Sequence, residues 1–442
     1  MGTRMKSQTP KVLHKVCGKP LAKWVTDVSR QAGAKGVLTI VGHGAEQVRQ
    51  TLGETCEYVL QAEQKGTGHA VMQAADWIRR TGGTVVILNG DIPLITPETI
   101  QKAVAAHEAQ KNSATVITAV LPDADGYGRI VRDGDGKVQK IVEHKDASKA
   151  ERQIREINSG MYVFDSQALL DALQELQPNN AQGEYYLTDT LEILLRAGRN
   201  IGAYIVEDPD EIRGINDRVQ LAEAERIMQK RIYTRHMQAG VTFVLPETSL
   251  IEDSVQIGPD TVIEPNVILR GNTVIGQGCL IGAGSQIADS EVAAGAEIVS
   301  SVLDQAYIGE NTHVGPFAYL RPNSRVGKHV KVGDFVELKN AVIGDGTKIS
   351  HLTYVGDSDV GERVNFGCGT VTVNYDGKKK YRTTIGNDCF IGCNTNLVSP
   401  VRVEDGAYIA AGSTITDDVP GEGLAIARAR QTIIPNWKDR RK

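Results

Sequence analysis

Cysteine is scarce in this sequence: six in 442 residues, with no Cys-x-x-Cys pair. That excludes a disulfide framework and predicts a reducing compartment. Cys389 and Cys393 are near neighbours, but no further zinc ligands accompany them, so both read as structural. No apolar run approaches the roughly 18 residues that a membrane span needs. The first residues are charged and lack a signal-peptide core, so a cytoplasmic protein is expected. Basic charge is not in excess either. Lys and Arg number 49 against 54 Asp and Glu, a net charge of −5, which argues against broad nucleic-acid binding. With 41% apolar and 23% charged residues the chain is soluble and globular. Its length predicts at least two domains.

Two periodicities divide the chain. Between residue 20 and about 215, strand-like segments at 36–42, 84–95, 113–121 and 157–165 are rich in β-branched residues. Helical spacing runs through "HAVMQAADWIRR" and "PETIQKAVAAHEAQK", the latter with Thr96 as N-cap before Pro97. This alternation predicts a mostly parallel, helix-covered sheet that binds ligands beyond its strand C-termini. Residues 216–240 form a helical stretch ending at Gly240. The expected division is therefore a domain at 1–215, a linker helix at 216–240 and a second domain at 241–442.

That second domain obeys a six-residue rule. Ile251, Ile257, Ile263, Leu269, Ile275, Ile281 and Ile287 follow without a miss. The rhythm restarts at Ile308, Val314, Leu320, Val326, Val332 and Leu338, and again at Ile385, Ile391, Leu397, Val403, Ile409 and Ile415. Glycine often follows the aliphatic, as at Gly258, Gly276, Gly282, Gly386 and Gly392. A period of six fits neither a helix nor an ordinary strand. It fits a prism-shaped β-helix in which each hexad makes one short strand, its aliphatic points inward and its small neighbour turns the corner. Three faces use about 18 residues per coil, giving roughly nine or ten coils. Such solenoids resemble the hexapeptide-repeat acyltransferases, trimers with active sites between neighbouring prisms.

Function must come from residues that break the rhythm. The main break, between Phe366 and Ile385, carries "GCGTVTVNYDGKKKYRTT". Near it stand Arg321, Lys339, His351, Tyr354, Asn374, Tyr375 and Lys380. Several cations with one histidine suit a small phosphorylated substrate and a base working near neutral pH. At the other end, Gly2-Thr3-Arg4 followed by Pro10-Lys11 has the composition of the back half of a phosphate-cradling loop.

These segments carry a resemblance over essentially the whole chain. "GDFVELKNA", "SHLTYVGD", "VNFGCGTVTVNYDGKKK" and "IAAGSTIT", with "GTRMKSQTPKVLHKVCGKPL", "LQAEQKGTGHAV", "GYGRIVRD", "NAQGEYYLTD" and "GINDR", look like the bacterial bifunctional enzymes that make UDP-N-acetylglucosamine. The resemblance implies an α/β Rossmann-like nucleotidyltransferase domain followed by a left-handed parallel β-helix, assembled as a homotrimer. It implies acetyl transfer from acetyl-CoA to glucosamine 1-phosphate, then uridylyl transfer from UTP to N-acetylglucosamine 1-phosphate with Mg²⁺. By the same resemblance His351 is the acetyl-transfer base and Asn374 holds or polarises the reacting groups. Arg321, Lys339 and Lys380 grip phosphate, while Tyr354, Asn365 and Tyr375 line the sugar site. Cys368, Asn374, Tyr375, Cys393, Ala411 and Arg428 fall where the family holds acetyl-CoA; both thiols read as plain wall residues. For uridylyl transfer, Arg4 and Lys11 match the positions that neutralise triphosphate, and Asp91 and Asn216 those that hold the metal. Gln61, Gly66 and Thr67 match uracil contacts, and Gly128, Glu143 and Asn158 contacts to the sugar. Asn89, a tyrosine in some members, receives no role.

The family pattern also places a strand and Leu-Ala-Ala-Gly ahead of Gly2, and Met1 stands where a basic residue belongs. Such a strand would bury about five apolar side chains, on the order of 10 kcal/mol, against a domain stability of about 5–15 kcal/mol. The expectation is a start site set too far downstream; a protein confined to acetylation is the alternative. Two rival readings are a sugar-phosphate nucleotidyltransferase with a purely structural prism and a non-enzymatic trimer.

Overall fold

A computed structural model describes residues 3–178 and 183–440. It separates into two compact units, Met1–Met228 and Gln229–Lys442.

In the first unit the strand-like segments become β1 (Leu38–Val41), β3 (Thr84–Ile87), β4 (Ala114–Val120) and β7 (Glu156–Asp165), joined by β2 (Glu57–Leu60), β5 (Arg129–Arg132), β6 (Val138–Val142) and β8 (Ile201–Ile205). Two helices, α1 (Thr67–Met72) and α2 (Ala75–Thr81), occupy the stretch with one helical period. They part at Ala74, whose amide bonds back to Val71 in a tightened turn. α3 (Pro97–Ala109) starts as expected, with the Thr96 hydroxyl accepting from the Thr99 amide.

The sheet corrects the expectation of mostly parallel pairing. Its order is β8-β4-β7-β5-β6, with β3 also on β7. Only β8 with β4 runs parallel here; β7 is antiparallel to β3, β4 and β5, and β5 is antiparallel to β6. β1 and β2 form a separate parallel pair. The reason is connectivity. No α-helix lies between β4 and β7, so the chain reverses through the Asp133–Gly136 turn rather than crossing over. β7 is buried on both sides: Tyr162 and Phe164 join one core cluster, Met161 and Val163 the other. Where β7 meets the end of β4 the register slips between Ile117 and Thr118. The extra residues, Ser159 and Gly160, form a bulge beside Asn158.

The second unit is the expected left-handed parallel β-helix. Every aliphatic of the hexads is buried, and the residue before it usually points outward. Most strands pair across coils of 16 to 18 residues, as Glu291 with Tyr307, Lys331 with Lys348 and Leu250 with Ile268. One face stacks eleven strands, close to the number of coils expected. The glycines require a correction. Gly258, Gly276 and Gly392 do not have positive φ. A Cβ on each would instead sit 2.6, 2.6 and 2.4 Å from a backbone nitrogen of the next coil. The left-handed conformation falls two residues later, at Asp260, Gly278 and Asn394. Glycine is selected here by coil-to-coil approach, and the corner is turned by another residue. α4 (Arg218–Gln238) contributes its second half to this unit, where the Gln229 amide exchanges hydrogen bonds with both backbone groups of Ile251 at 2.8 and 3.1 Å. The first coil's edge is thereby covered.

Two alanine substitutions separate these causes. Gly258→Ala should destabilise the β-helix by about 1–3 kcal/mol through overpacking. Gly284→Ala, at φ +75° with open space around it, should cost about 1 kcal/mol. Thermal unfolding of the full chain measures both, and a larger drop for Gly284→Ala would contradict the assignment.

Candidate active sites

In the β-helix, strand register turns distant residues into a ladder. Asp334 pairs with His351, and the pairs flanking the next corners put His351 beside Cys368, Cys368 beside Cys393, and Cys393 beside Ala411. These five residues therefore occupy successive rungs of one prism corner, about 4.8 Å apart. On the lowest rungs His351 Nδ1 lies 2.6 Å from Asp334 Oδ1. This hydrogen bond holds the Asp334 carboxyl below the usual carboxylate range. A carboxylate only accepts, so Nδ1 carries a hydrogen, and in the neutral imidazole Nε2 is the nitrogen with the lone pair. Cys393 is exposed and Cys368 half-buried, while Arg428 lies beside Gly412 next to the top rung.

The break in the rhythm opens the next face. Asp359 pairs with Thr384, twenty-five positions on, instead of about eighteen. The surplus forms a tight excursion closed by the Tyr375–Lys380 bridge. Asp376 builds it, accepting from the amides of Lys378 and Lys379 at 2.7 Å each and from the Tyr381 hydroxyl at 3.0 Å. Arg382 anchors its far end on Asp359 and on the carbonyls of Asn340 and Ser358. Lys380 lies against Lys339, and its ammonium, with burial and Arg321, holds Lys339 below the ordinary lysine range. Arg321 donates to Glu337 at 2.9 Å. Within this cluster Asn374 donates to Asp357 at 2.5 Å and lies 3.4 Å from the Tyr354 hydroxyl. Gly356 makes the approach feasible, since a Cβ there would fall 2.3 Å from that hydroxyl.

The structure thus brings together Arg321, Lys339, Tyr354, Asn374 and Lys380 on one face. Tyr375 stays exposed, its hydroxyl bonded to Gly377 within its own loop. Asn365 stands on the face before the corner, stacked between Lys348 and Phe390. No hydrogen bond among the described residues joins His351 to Asn374 or to the cations. One prism offers the histidine at a corner with polar walls on either side.

In the first unit, Lys11 Nζ lies 2.5 Å from Asp91 Oδ2 and 3.1 Å from Asn216 Oδ1. Two oxygens thus converge on one cation-sized point. Among the described residues no group of three or more His, Cys, Asp or Glu side chains gathers to hold a metal. Two oxygens do suit a hard divalent cation that completes its shell with phosphate and water. Gln61 Nε2 donates to the Gly66 carbonyl at 3.1 Å, and the Thr67 hydroxyl accepts from the Leu187 amide at 3.0 Å. Gly66 has φ +105° and a Cβ there would lie 2.5 Å from the Tyr185 carbonyl, so only glycine fits. Gly128, Glu143 and Asn158 meet at the bulge: the Asn158 amide donates to the Gly128 carbonyl at 2.9 Å, with Glu143 facing the same glycine. Burial, then Asp146 and Asp189, push the Glu143 carboxyl up. Asn89 lies 3.4 Å from the carbonyls of Ser159 and Gly160. Arg4, in a short turn over Thr3–Met5, is exposed.

Sequence reasoning missed Asp334, Asp357, Asp376 and Arg382. Asp334 was recoverable, because it stands one coil, seventeen residues, before His351. Asp357 and Asp376 carried no such mark.

Residues 2–210 match the family described as nucleotidyl transferase. Residues 254–289, 305–340 and 382–417 match the bacterial transferase hexapeptide (six repeats). The bifunctional protein GlmU of Acetivibrio thermocellus is 56% identical over 436 residues, 99% of this chain and 95% of that protein. Its counterpart in Brevibacillus brevis is 54% identical over 430 residues, 97% of this chain and 93% of the relative. That of Clostridium perfringens is 54% identical over 442 residues, 100% and 97% of the two chains.

The excursion's order hangs on one carboxylate. Asp376→Ala should speed amide hydrogen exchange severalfold at residues 377–381 and leave the stacked strands on either side unchanged. Unaltered exchange in the loop would mean that the bridge alone holds it.

Proposed function

The chain belongs to the bifunctional GlmU family, and we propose on that footing that its two units catalyse successive steps toward UDP-N-acetylglucosamine. The β-helix moves the acetyl group of acetyl-CoA onto the amine of glucosamine 1-phosphate. The first unit joins UTP to the N-acetylated sugar 1-phosphate and releases pyrophosphate.

The observation that carries the acetyl-transfer reading is the Asp334–His351 pair at the foot of the corner ladder. A neutral amine must attack a thioester carbonyl and lose a proton as it does so. His351 Nε2 takes that proton, and Asp334 steadies the imidazolium that results. Arg321, Lys339 and Lys380 hold the sugar phosphate. Two ammoniums crowded together stand to gain from an anion between them. Tyr354, Tyr375 and Asn365 line the sugar. Coenzyme A runs up the small residues Cys368, Cys393 and Ala411 toward Arg428. Since Asn365 and Tyr354 lie on opposite sides of the corner, a neighbouring prism closes the pocket, which fits a homotrimer.

In the uridylyl reaction an anionic phosphate attacks another, so positioning and charge neutralisation dominate. Asp91 and Asn216 would hold Mg²⁺, which when bound shields the charge of the phosphates. With that position taken, Lys11 swings from Asp91 to the triphosphate and joins Arg4 there. Gln61, Gly66 and Thr67 face the uracil, while Gly128, Glu143 and Asn158 orient the N-acetylated sugar. No helix among the described residues is long and apolar enough to cross a membrane. Acetyl-CoA and UTP as co-substrates fit a cytoplasmic protein.

The two activities should separate by mutation. His351→Ala should lower acetyl transfer by at least about 10²-fold, and Asp334→Asn by about tenfold or more in kcat. Both should leave uridylyl transfer intact. Asp91→Asn should do the reverse. Paired assays with acetyl-CoA and glucosamine 1-phosphate, and with UTP, N-acetylglucosamine 1-phosphate and Mg²⁺, measure this. Near-normal acetylation by His351→Ala would remove the base assignment.

A further inference from the structure

Asp357 is a buried carboxylate that the reaction scheme above leaves without a task. It is 9% exposed and sits at a corner with φ +46°. Aspartate tolerates that left-handed geometry better than most residues. Buried carboxylates are costly unless their oxygens are satisfied. Here each oxygen takes one amide: Oδ1 accepts from Asn340 Nδ2 at 2.6 Å and Oδ2 from Asn374 Nδ2 at 2.5 Å.

This fixes the direction of the Asn374 amide. A carboxylate has no hydrogen to give, so Asn374 can present only its NH₂ to Asp357. The second hydrogen of that NH₂ faces the Tyr354 hydroxyl at 3.4 Å. Both donors of Asn374 are therefore spent inside the protein. Its carbonyl, Oδ1, accepts no hydrogen bond from the described residues and is the only polar atom of the side chain left for a ligand. The residue is only 7% exposed, yet Oδ1 is not among the fully buried unpartnered polar atoms, so the small surface it keeps is open to a ligand.

We infer that Asp357 is a positioning residue that locks Asn374 with its carbonyl toward the substrate, making Asn374 a hydrogen-bond acceptor for the sugar amine and not a donor to the oxyanion. This rests on the acetyl-transfer reading of the site and adds a direction to it. An acceptor on the amine aims the nitrogen lone pair at the thioester, because one N–H points at Asn374 and another at His351. The donor to the developing oxyanion must then come from another group, such as a backbone amide of the ladder.

Exchanging the pair tests this. Asp357→Asn keeps shape but lets the amides of residues 340, 357 and 374 adopt either direction. It should lower kcat for acetyl transfer about tenfold, with KM for acetyl-CoA within twofold of the wild type and uridylyl transfer unchanged. Asn374→Asp alone sets two carboxylates against each other and should lose 10²-fold or more. The double variant Asp357→Asn/Asn374→Asp restores every donor–acceptor pair, from Asn340 through residue 357 to residue 374, and leaves a carboxylate oxygen facing the amine. It should recover at least tenfold over Asn374→Asp. A merely structural role predicts no such recovery in kcat at equal melting temperature. Wild-type kcat in Asp357→Asn, or a double variant no better than Asn374→Asp, would overturn the inference. Absence of acetyl transfer in the wild type would instead overturn the reading of the site.

Discussion

Everything at the β-helix site depends on the length of a coil. Parallel pairing at about eighteen residues sets a residue directly over its counterpart in the coil below, at the fixed spacing between neighbouring strands. The backbone has no freedom to alter that spacing, because each interior coil is bonded above and below and filled with aliphatic side chains. A side chain that leaves the repeat is therefore presented at a known height on a rigid frame. Asp334, His351 and the thiols above them are consequences of arithmetic along one corner. The seven-residue surplus before Thr384 then supplies what the prism lacks, a projecting loop that carries Asn374 and Lys380.

Within this frame, carboxylates aim other groups. Asp334 settles which nitrogen of His351 is protonated, and Asp357 settles which end of the Asn374 amide faces outward. Asp376 shapes the loop from which Asn374 and Lys380 project. Each acts because an ionised carboxylate accepts and never donates. The cations are arranged oppositely: Lys339 and Lys380 crowd each other, an arrangement that favours a bound anion. In the first unit Lys11 occupies the point where Asp91 and Asn216 converge.

Much of the fold was legible. The hexads located the β-helix because burying one aliphatic per strand leaves a mark every six residues, and Thr96 marked a helix start because an orphan amide needs an acceptor. The glycines were misread. Sequence records that a small residue is required but not whether torsion or close approach requires it. The sheet was misread because alternating patterns look the same in either strand direction; direction follows from what lies between strands. Among site residues, His351 and the cations stood out by breaking a repeat. Asp357 sits inside "GDSDV", which reads in sequence as an ordinary strand segment, and nothing there announces a partner seventeen positions away on either side.

The amino-acid sequence by itself determined the inward aliphatic stripe, the place where the stripe fails, and the set of ionisable groups collected around that failure, since these follow from local pattern and composition. Only the tertiary structure decided how those groups are paired and pointed. Hydrogen bonds are directional and depend on which coil lies over which, so the tautomer of His351, the orientation of Asn374 and the shared cation position at Asp91 and Asn216 exist only once distant segments have been stacked.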